Sequence, residues 1–477
     1  MITSSRRKWY ALGLLCTTQF LVVLDIAIVN VALPSIQKDL HFTQESLQWV
    51  ISAYALVFGG FLLLGGRMAD LLGRRRVFFV GLIIFTLGSL LCGLAWSETS
   101  LIASRAFQGL GAALITPSAL SILTVTFAEG KERNIALGAW GAVGGVGAAA
   151  GVLLGGILTD LLSWSWIFFV NVPVGVAALV LTPMLLTESR DLRVKTFDAL
   201  GAILVTSGLV LLVLAITKGH DWGWGSTRTV GVFVVSGALL ASFLVWESRL
   251  AEPLMPLSIF RLRTLSAANI VGFILGTALF AMFLMLTLYM QEVLGYSPLK
   301  TGVGYLAVAG TAIIWANVAA QVVNRVGVKP ALVFGMVMMT VGLVLFTRVS
   351  VTGSYLADLL PGFLVIGLGM PFCFIPITIA AVAGTKPEEA GLASGLINTS
   401  QQVGGALGIA VLSTIATSGL PSNRRPTPQE LTHGFQNAFW AGVAVTAVGV
   451  VVSLLLVRRT DVVPQLVPAE EPAPDAA

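Results

Sequence analysis

Charge is what this chain has least of. Only 11% of its 477 residues are Asp, Glu, Lys or Arg, against 56% hydrophobic, and its mean hydropathy is +0.91. An ordinary soluble domain carries about 25% charged residues, so a water-soluble fold is excluded. Cysteine and histidine are equally sparse, at three each. Cys16, Cys92 and Cys373 all fall inside apolar runs, and His41, His220 and His433 are scattered over loops. That pattern leaves no disulfide framework and no metal site. A Walker A sequence is missing, so any work must draw on an ion gradient rather than on ATP, and no cofactor is expected. No nucleophile–base pair is visible, which argues against an enzyme. The net charge of +5 is spread over many short loops, so it does not point to nucleic acid.

What the chain has in abundance is apolar runs of about 20 residues, the length that crosses a bilayer. Fourteen can be marked out, from 9–33 to 438–457. Lipid offers the backbone no hydrogen bonds, so each run is expected as a helix and the fold class as an all-α polytopic membrane protein. An even number of spans puts both termini on one side. The loops on that side hold twenty Lys and Arg against seven opposite, with Arg105 inside a span, which places both termini in the cytoplasm. Arg6, Arg7 and Lys8 lead into a run too long for the h-region of a signal peptide, so no cleavable leader is expected. Trp9, Tyr10, Trp49, Trp96, Trp164, Trp222 and Trp224 lie near span ends, as headgroup-level anchors do. The Pro-rich, acidic stretch 459–477 reads as a disordered tail.

The most ordered loop is GGRMADLLGRRR, residues 65–76, between spans 2 and 3. Gly66 and Gly73 permit a tight bend, and Asp70 is placed to cap a helix or to pair with Arg67, Arg74 or Arg75. A weaker copy, Asn324-Arg325-Val326-Gly327-Val328-Lys329, joins spans 10 and 11, so the two halves of the chain look like repeats. The loop resembles the signature between helices 2 and 3 of the major facilitator superfamily of transporters. Fourteen spans resemble its drug/proton antiporter branch. The implied organisation is a six-helix bundle at 1–187, a linker with two inserted helices at 188–265, a second bundle at 266–458 and the tail at 459–477.

Two polar residues lie deep in spans. Asp25, in LDIAIVNVALP, sits where a charge costs roughly 2.5–3.5 kcal/mol even on a lenient insertion scale, and is read as the proton carrier. The surrounding Leu24-Asp25 and Asn30-Val31-Ala32-Leu33-Pro34 are similar to the helix-1 pattern of that branch. Arg105, with Gln108 and Gly109, resembles the helix-4 pattern, and its fixed charge makes it the natural partner of Asp25, directly or through water. Span 5 carries Gly141, Gly144, Gly147, Gly151, Gly155 and Gly156. Its stripe Gly147, Gly151, Gly155, with Gly156 beside it, resembles the antiporter pattern of exporters, except that Val152 replaces the family's proline. The resemblance implies span 10 as the facing helix. Asn171 and Pro173, at the start of span 6, are read as shaping that end. Asn30, Gln108, Asn317, Gln321, Asn398, Gln401 and Gln402 are candidate walls of a substrate cavity, and Glu292 is expected in a solvated loop.

The expectation is a monomeric secondary transporter, not an enzyme, in the inner membrane, exchanging protons for small amphipathic drugs or antibiotics. Export or flipping of an endogenous lipid or metabolite is the alternative. A non-transporting membrane scaffold would leave Asp25 and Arg105 without use.

Overall fold

The computed structural model describes residues 4–127, 131–190, 198–250, 253–382, 390–421, 424 and 426–457. The tail at 459–477 lies outside them, as does most of the stretch between spans 6 and 7. Helices α1 (Ser4–Leu40), α2 (Gln44–Leu47), α3 (Trp49–Leu72), α4 (Arg74–Gly93), α5 (Glu98–Thr126) and α6 (Lys131–Leu161) come first. A single turn, α7 (Trp166–Phe169), leads into α8 (Asn171–Leu185), followed by the pair α9 (Ala199–Trp222) and α10 (Thr227–Arg249). Helix α11 (Arg263–Leu288) ends in a π-helical turn (Tyr289–Val293) that holds Glu292 half-buried. Helices α12 (Pro298–Val326), α13 (Val328–Phe346), α14 (Leu360–Val382), α15 (Ala390–Thr417) and α16 (Pro428–Leu456) complete the order. No strand occurs among the described residues, and thirteen spans are long and apolar enough to cross a membrane. The fourteenth expected span, α15, has the length but is diluted by the polar run Asn398, Thr399, Ser400, Gln401, Gln402. The protein is an all-α polytopic membrane protein.

The two faces end their helices differently. Opposite the N-terminus, Thr43, Ser97, Ser226, Ser297, Ser354 and Thr427 each accept a hydrogen bond from the backbone three residues on. Each such cap stabilises its helix start by about 1 kcal/mol. On the other face, α3 meets α4 and α12 meets α13 through a single residue, Gly73 and Gly327, at φ +110° and +88°. The sequence repeat is therefore also a repeat of backbone conformation, one that side chains resist. At Gly73 a Cβ would also lie 2.6 Å from Glu188 Oε1. Gly73→Ala is expected to lose about 1–2 kcal/mol from backbone strain alone. Adding Glu188→Ala should return only the part due to the clash. Unfolding of Gly73→Ala at the unsubstituted temperature in detergent would refute this.

Helix α1 packs along α6, α5 lies between α3 and α4, α11 packs along α15, and α13 along α14. The halves meet at two seams, α3 against α15 and α6 against α12, and α9 lies against both helices of the first. The α6–α12 seam is tight at one end only. A Cβ on Gly156 would come within 2.7 Å of the Pro298 carbonyl, and one on Gly302 would strike that of Val152. Nearby, Gln291 Nε2 donates to the Val31 carbonyl at 2.8 Å. Towards the other face the helices part, and Gly138, Gly141, Gly144, Gly145 and Gly310 have nothing within 4 Å of an added Cβ. Along this seam the protein is closed on the face of the capped loops and open on the face of the glycine junctions.

This geometry corrects one expectation. The stripe Gly147, Gly151, Gly155 faces α1, not the tenth span. A Cβ on Gly151 would lie 2.7 Å from Ala27 Cβ and 2.9 Å from the Leu24 carbonyl, and one on Gly155 would lie 2.6 Å from that of Ile28. Helical spacing explains the split. Residues four apart share a face, so Val152 and Gly156 form a neighbouring stripe turned towards α12.

Candidate functional site

Asp25 and Arg105 touch directly, and both are buried, at 0% and 1% exposure. Arg105 Nη1 donates to Asp25 Oδ2 at 2.6 Å. Asp25 Oδ1 accepts from Gln108 Nε2 at 2.7 Å and from Asn171 Nδ2 at 2.9 Å. Gln108 Nε2 also reaches Ser89 Oγ at 2.7 Å, while its Oε1 accepts from Arg105 Nη1 at 2.6 Å. Arg105 Nε donates to the Val50 carbonyl at 2.9 Å, and its Cζ stands 4.2 Å from the centre of the Tyr54 ring. Charge-assisted bonds and a ring face replace the water this ion pair gave up. Close approach of the helices makes the arrangement possible. A Cβ on Gly109 would lie 2.6 Å from the Tyr54 carbonyl, and one on Gly88 would lie 2.8 Å from Gln108 Cα. Five spans thus converge on one carboxylate. A buried pair of this kind seldom raises net stability over apolar packing, which makes stability a poor reason for its presence.

Two residues change role. Gln108, expected on the cavity wall, is fully buried and holds Asp25, because it lies one helical turn beyond Arg105 on the same face of α5. Asn171, read as shaping its helix end, donates to Asp25. A polar amide within an apolar run was the available signal. Ser89 gave none.

Other expected wall residues also divide. Asn30 is 7% exposed and donates back to the Ile26 carbonyl, and Gln402 is 8% exposed, its Cβ 3.0 Å from where one on Gly59 would sit. Both side chains are buried between helices rather than standing on an open wall. Gln401 is half-buried beside Gly272 of α11. Asn317, Gln321 and Asn398 are exposed. In the signature loop Arg74 Nη2 pairs with Asp70 Oδ1 at 2.9 Å, settling the choice of partner, and Arg67 Nη2 donates to the Pro253 carbonyl at 3.2 Å. Gly66 makes no bend, contrary to expectation: it lies within α3, one turn before Asp70, where an added Cβ would be 3.6 Å from Pro117 Cβ. Arg75 and Arg76 both lie within 4 Å of Glu188, a residue the sequence reading did not single out.

Comparison with known proteins adds the family. Residues 15–409 match the sequence profile of the Major Facilitator Superfamily. The puromycin resistance protein pur8 of Streptomyces alboniger is 40% identical over 93% of this chain and 89% of its own length. The cephamycin export protein CmcT of Amycolatopsis lactamdurans is 40% identical over 93% and 91%. A crystal structure of the peptide transporter POT in complex with sulfate superposes with TM-score 0.67 over 95% of this chain and 98% of that one. At 16% identity that likeness speaks to the fold alone. The profile match and the two relatives together make this chain a secondary transporter, not an enzyme, and a member of the Major Facilitator Superfamily.

Proposed function

We propose that the protein expels amphipathic antibiotics or related drugs in exchange for protons, by alternating access, as a monomer in the inner membrane with both termini in the cytoplasm. The observation that carries the proton half is the Asp25 cluster: one buried carboxylate gripped by Arg105, Gln108 and Asn171. A proton on Asp25 removes the charge that holds Arg105, whose remaining partners are the Val50 carbonyl, Gln108 and the Tyr54 and Phe168 rings. Asn171 Oδ1 is buried and unpartnered, so an amide flip lets it accept the new O–H. Loosening Asp25 frees α1 relative to α5, while α1 stays against the Gly147, Gly151, Gly155 stripe of α6. Helix α6 in turn grips α12 through Val152 and Gly156. Protonation is thereby linked to the closed end of the molecule through contiguous backbone contacts. The names of the two relatives support an antibiotic as the cargo.

The test uses proteoliposomes with an imposed pH gradient and puromycin or a cephamycin as probe. Asp25→Asn is expected to abolish gradient-driven transport while leaving the protein folded, and Asp25→Glu to keep part of it, because a titratable group remains. Unchanged transport by Asp25→Asn would refute the proton role. Transport of neither probe by the unsubstituted protein, with pH-gradient-driven movement of a labelled lipid, would move the reading to a flippase.

A further inference from the structure

A pair of buried acids lies away from Asp25, at the ends of α9 and α10 on the open face. Asp198 is 8% exposed and Glu247 2%. Each spends one oxygen on fixed donors. Asp198 Oδ1 accepts from the Gly201 amide at 2.9 Å and from Trp246 Nε1 at 3.0 Å. Glu247 Oε2 accepts from the Met255 amide at 2.9 Å. The other two oxygens, Asp198 Oδ2 and Glu247 Oε1, are buried with no partner. Both lie over the bare Cα of Gly201, where an added Cβ would strike Oδ2 and come within 2.9 Å of Oε1. A glycine at this position is what leaves room for the carboxyl groups to meet.

Two ionised carboxylates offer acceptors only and repel each other, and neither orphaned oxygen can be satisfied. A single proton resolves both problems, turning one group into a donor to the other. We propose that Asp198 and Glu247 form a second proton-binding site, separate from Asp25, in which one proton is shared across Gly201. Among the described residues the surrounding charges do not supply an alternative. Arg67 of α3 gives its Nη2 to the Pro253 carbonyl, Asp70 on the same helix is taken by Arg74, and Arg249 is exposed. Among the described residues no group of three His, Cys, Asp or Glu side chains gathers here, as a metal ion would need. Glu247 also lines a cleft of about 550 Å³ with Arg67, Pro253 and Pro256, which gives the proton a route to water. The site pins the segment at 253–258 to α10, and Arg67 continues that link to the helix carrying the signature loop. Losing the proton sets two negative charges against each other and loosens this corner of the open face.

The experiment uses the full-length protein in detergent with Asp25→Asn, which removes the other buried acid without changing its shape. Its infrared spectrum at neutral pH is expected to contain a protonated-carboxyl C=O band that Asp25→Asn/Glu247→Gln lacks. The folded site holds a proton that the unfolded chain releases, so its stabilisation is present at low pH and lost as pH rises through the pair's titration. The unfolding temperature of Asp25→Asn should therefore fall towards alkaline pH. That fall should vanish in Asp25→Asn/Glu247→Gln, whose amide donates to Asp198 at every pH. Asp25→Asn/Asp198→Asn, which keeps its Oδ1 acceptor, has to lose the same band. Absence of the band from Asp25→Asn, its survival in both double variants, or equal alkaline slopes would overturn the proposal. So would a higher alkaline unfolding temperature in sodium than in choline chloride, since a cation would then fill the site.

Discussion

Arg105→Ala is expected to lose about 3–5 kcal/mol of stability at neutral pH, because it strands a buried carboxylate. Asp25 would keep only the amides of Gln108 and Asn171, and the Tyr54 ring would lose its cation. Asp25→Asn/Arg105→Ala should recover much of that loss, since no uncompensated charge then remains. The two substitutions share one hydrogen-bonded network, so their effects are far from additive, and the cycle isolates the pairing. Thermal unfolding of the four proteins in detergent measures it. A double variant less stable than Arg105→Ala by the full cost of Asp25→Asn would show that the contact carries no coupling.

Gly156→Leu and Gly151→Leu are expected to fail in different ways, although they stand five residues apart on one helix. At Gly156 the new side chain meets the Pro298 and Leu299 backbone of α12. Overpacking there costs about 1–3 kcal/mol, and only in the state closed at that end. A bias of that size shifts a two-state equilibrium by about 5- to 150-fold. Labelling of a cysteine placed in the vestibule at that same end should rise accordingly. Gly151→Leu instead presses on Leu24, Ala27 and Ile28, next to Asp25 and away from the seam. It should depress transport with labelling unchanged. Raised labelling in Gly151→Leu but not Gly156→Leu would reverse these assignments.

Composition, run length and loop charge were enough to determine an all-helical membrane fold, and the glycine at each loop repeat already marked Gly73 and Gly327. These are local quantities: hydropathy over a span, and the φ a single residue can adopt. Asp25 and Arg105 were legible for a related reason, since a charge inside an apolar run is costly wherever the run packs. Only tertiary structure decided what each residue touches. Gly151 and Gly156 look alike in the chain, yet one faces α1 and the other α12, because 100° per residue separates their faces and neighbour identity is not written in one helix. Gln108 and Asn171 were polar residues in apolar runs with several destinations open to them. The crossing of α1, α4, α5 and α8 sent both to the same carboxylate. Asp198 and Glu247 stood beside charged loops, where acids are ordinarily solvated, and became buried only because Gly201 let two helix ends close over them.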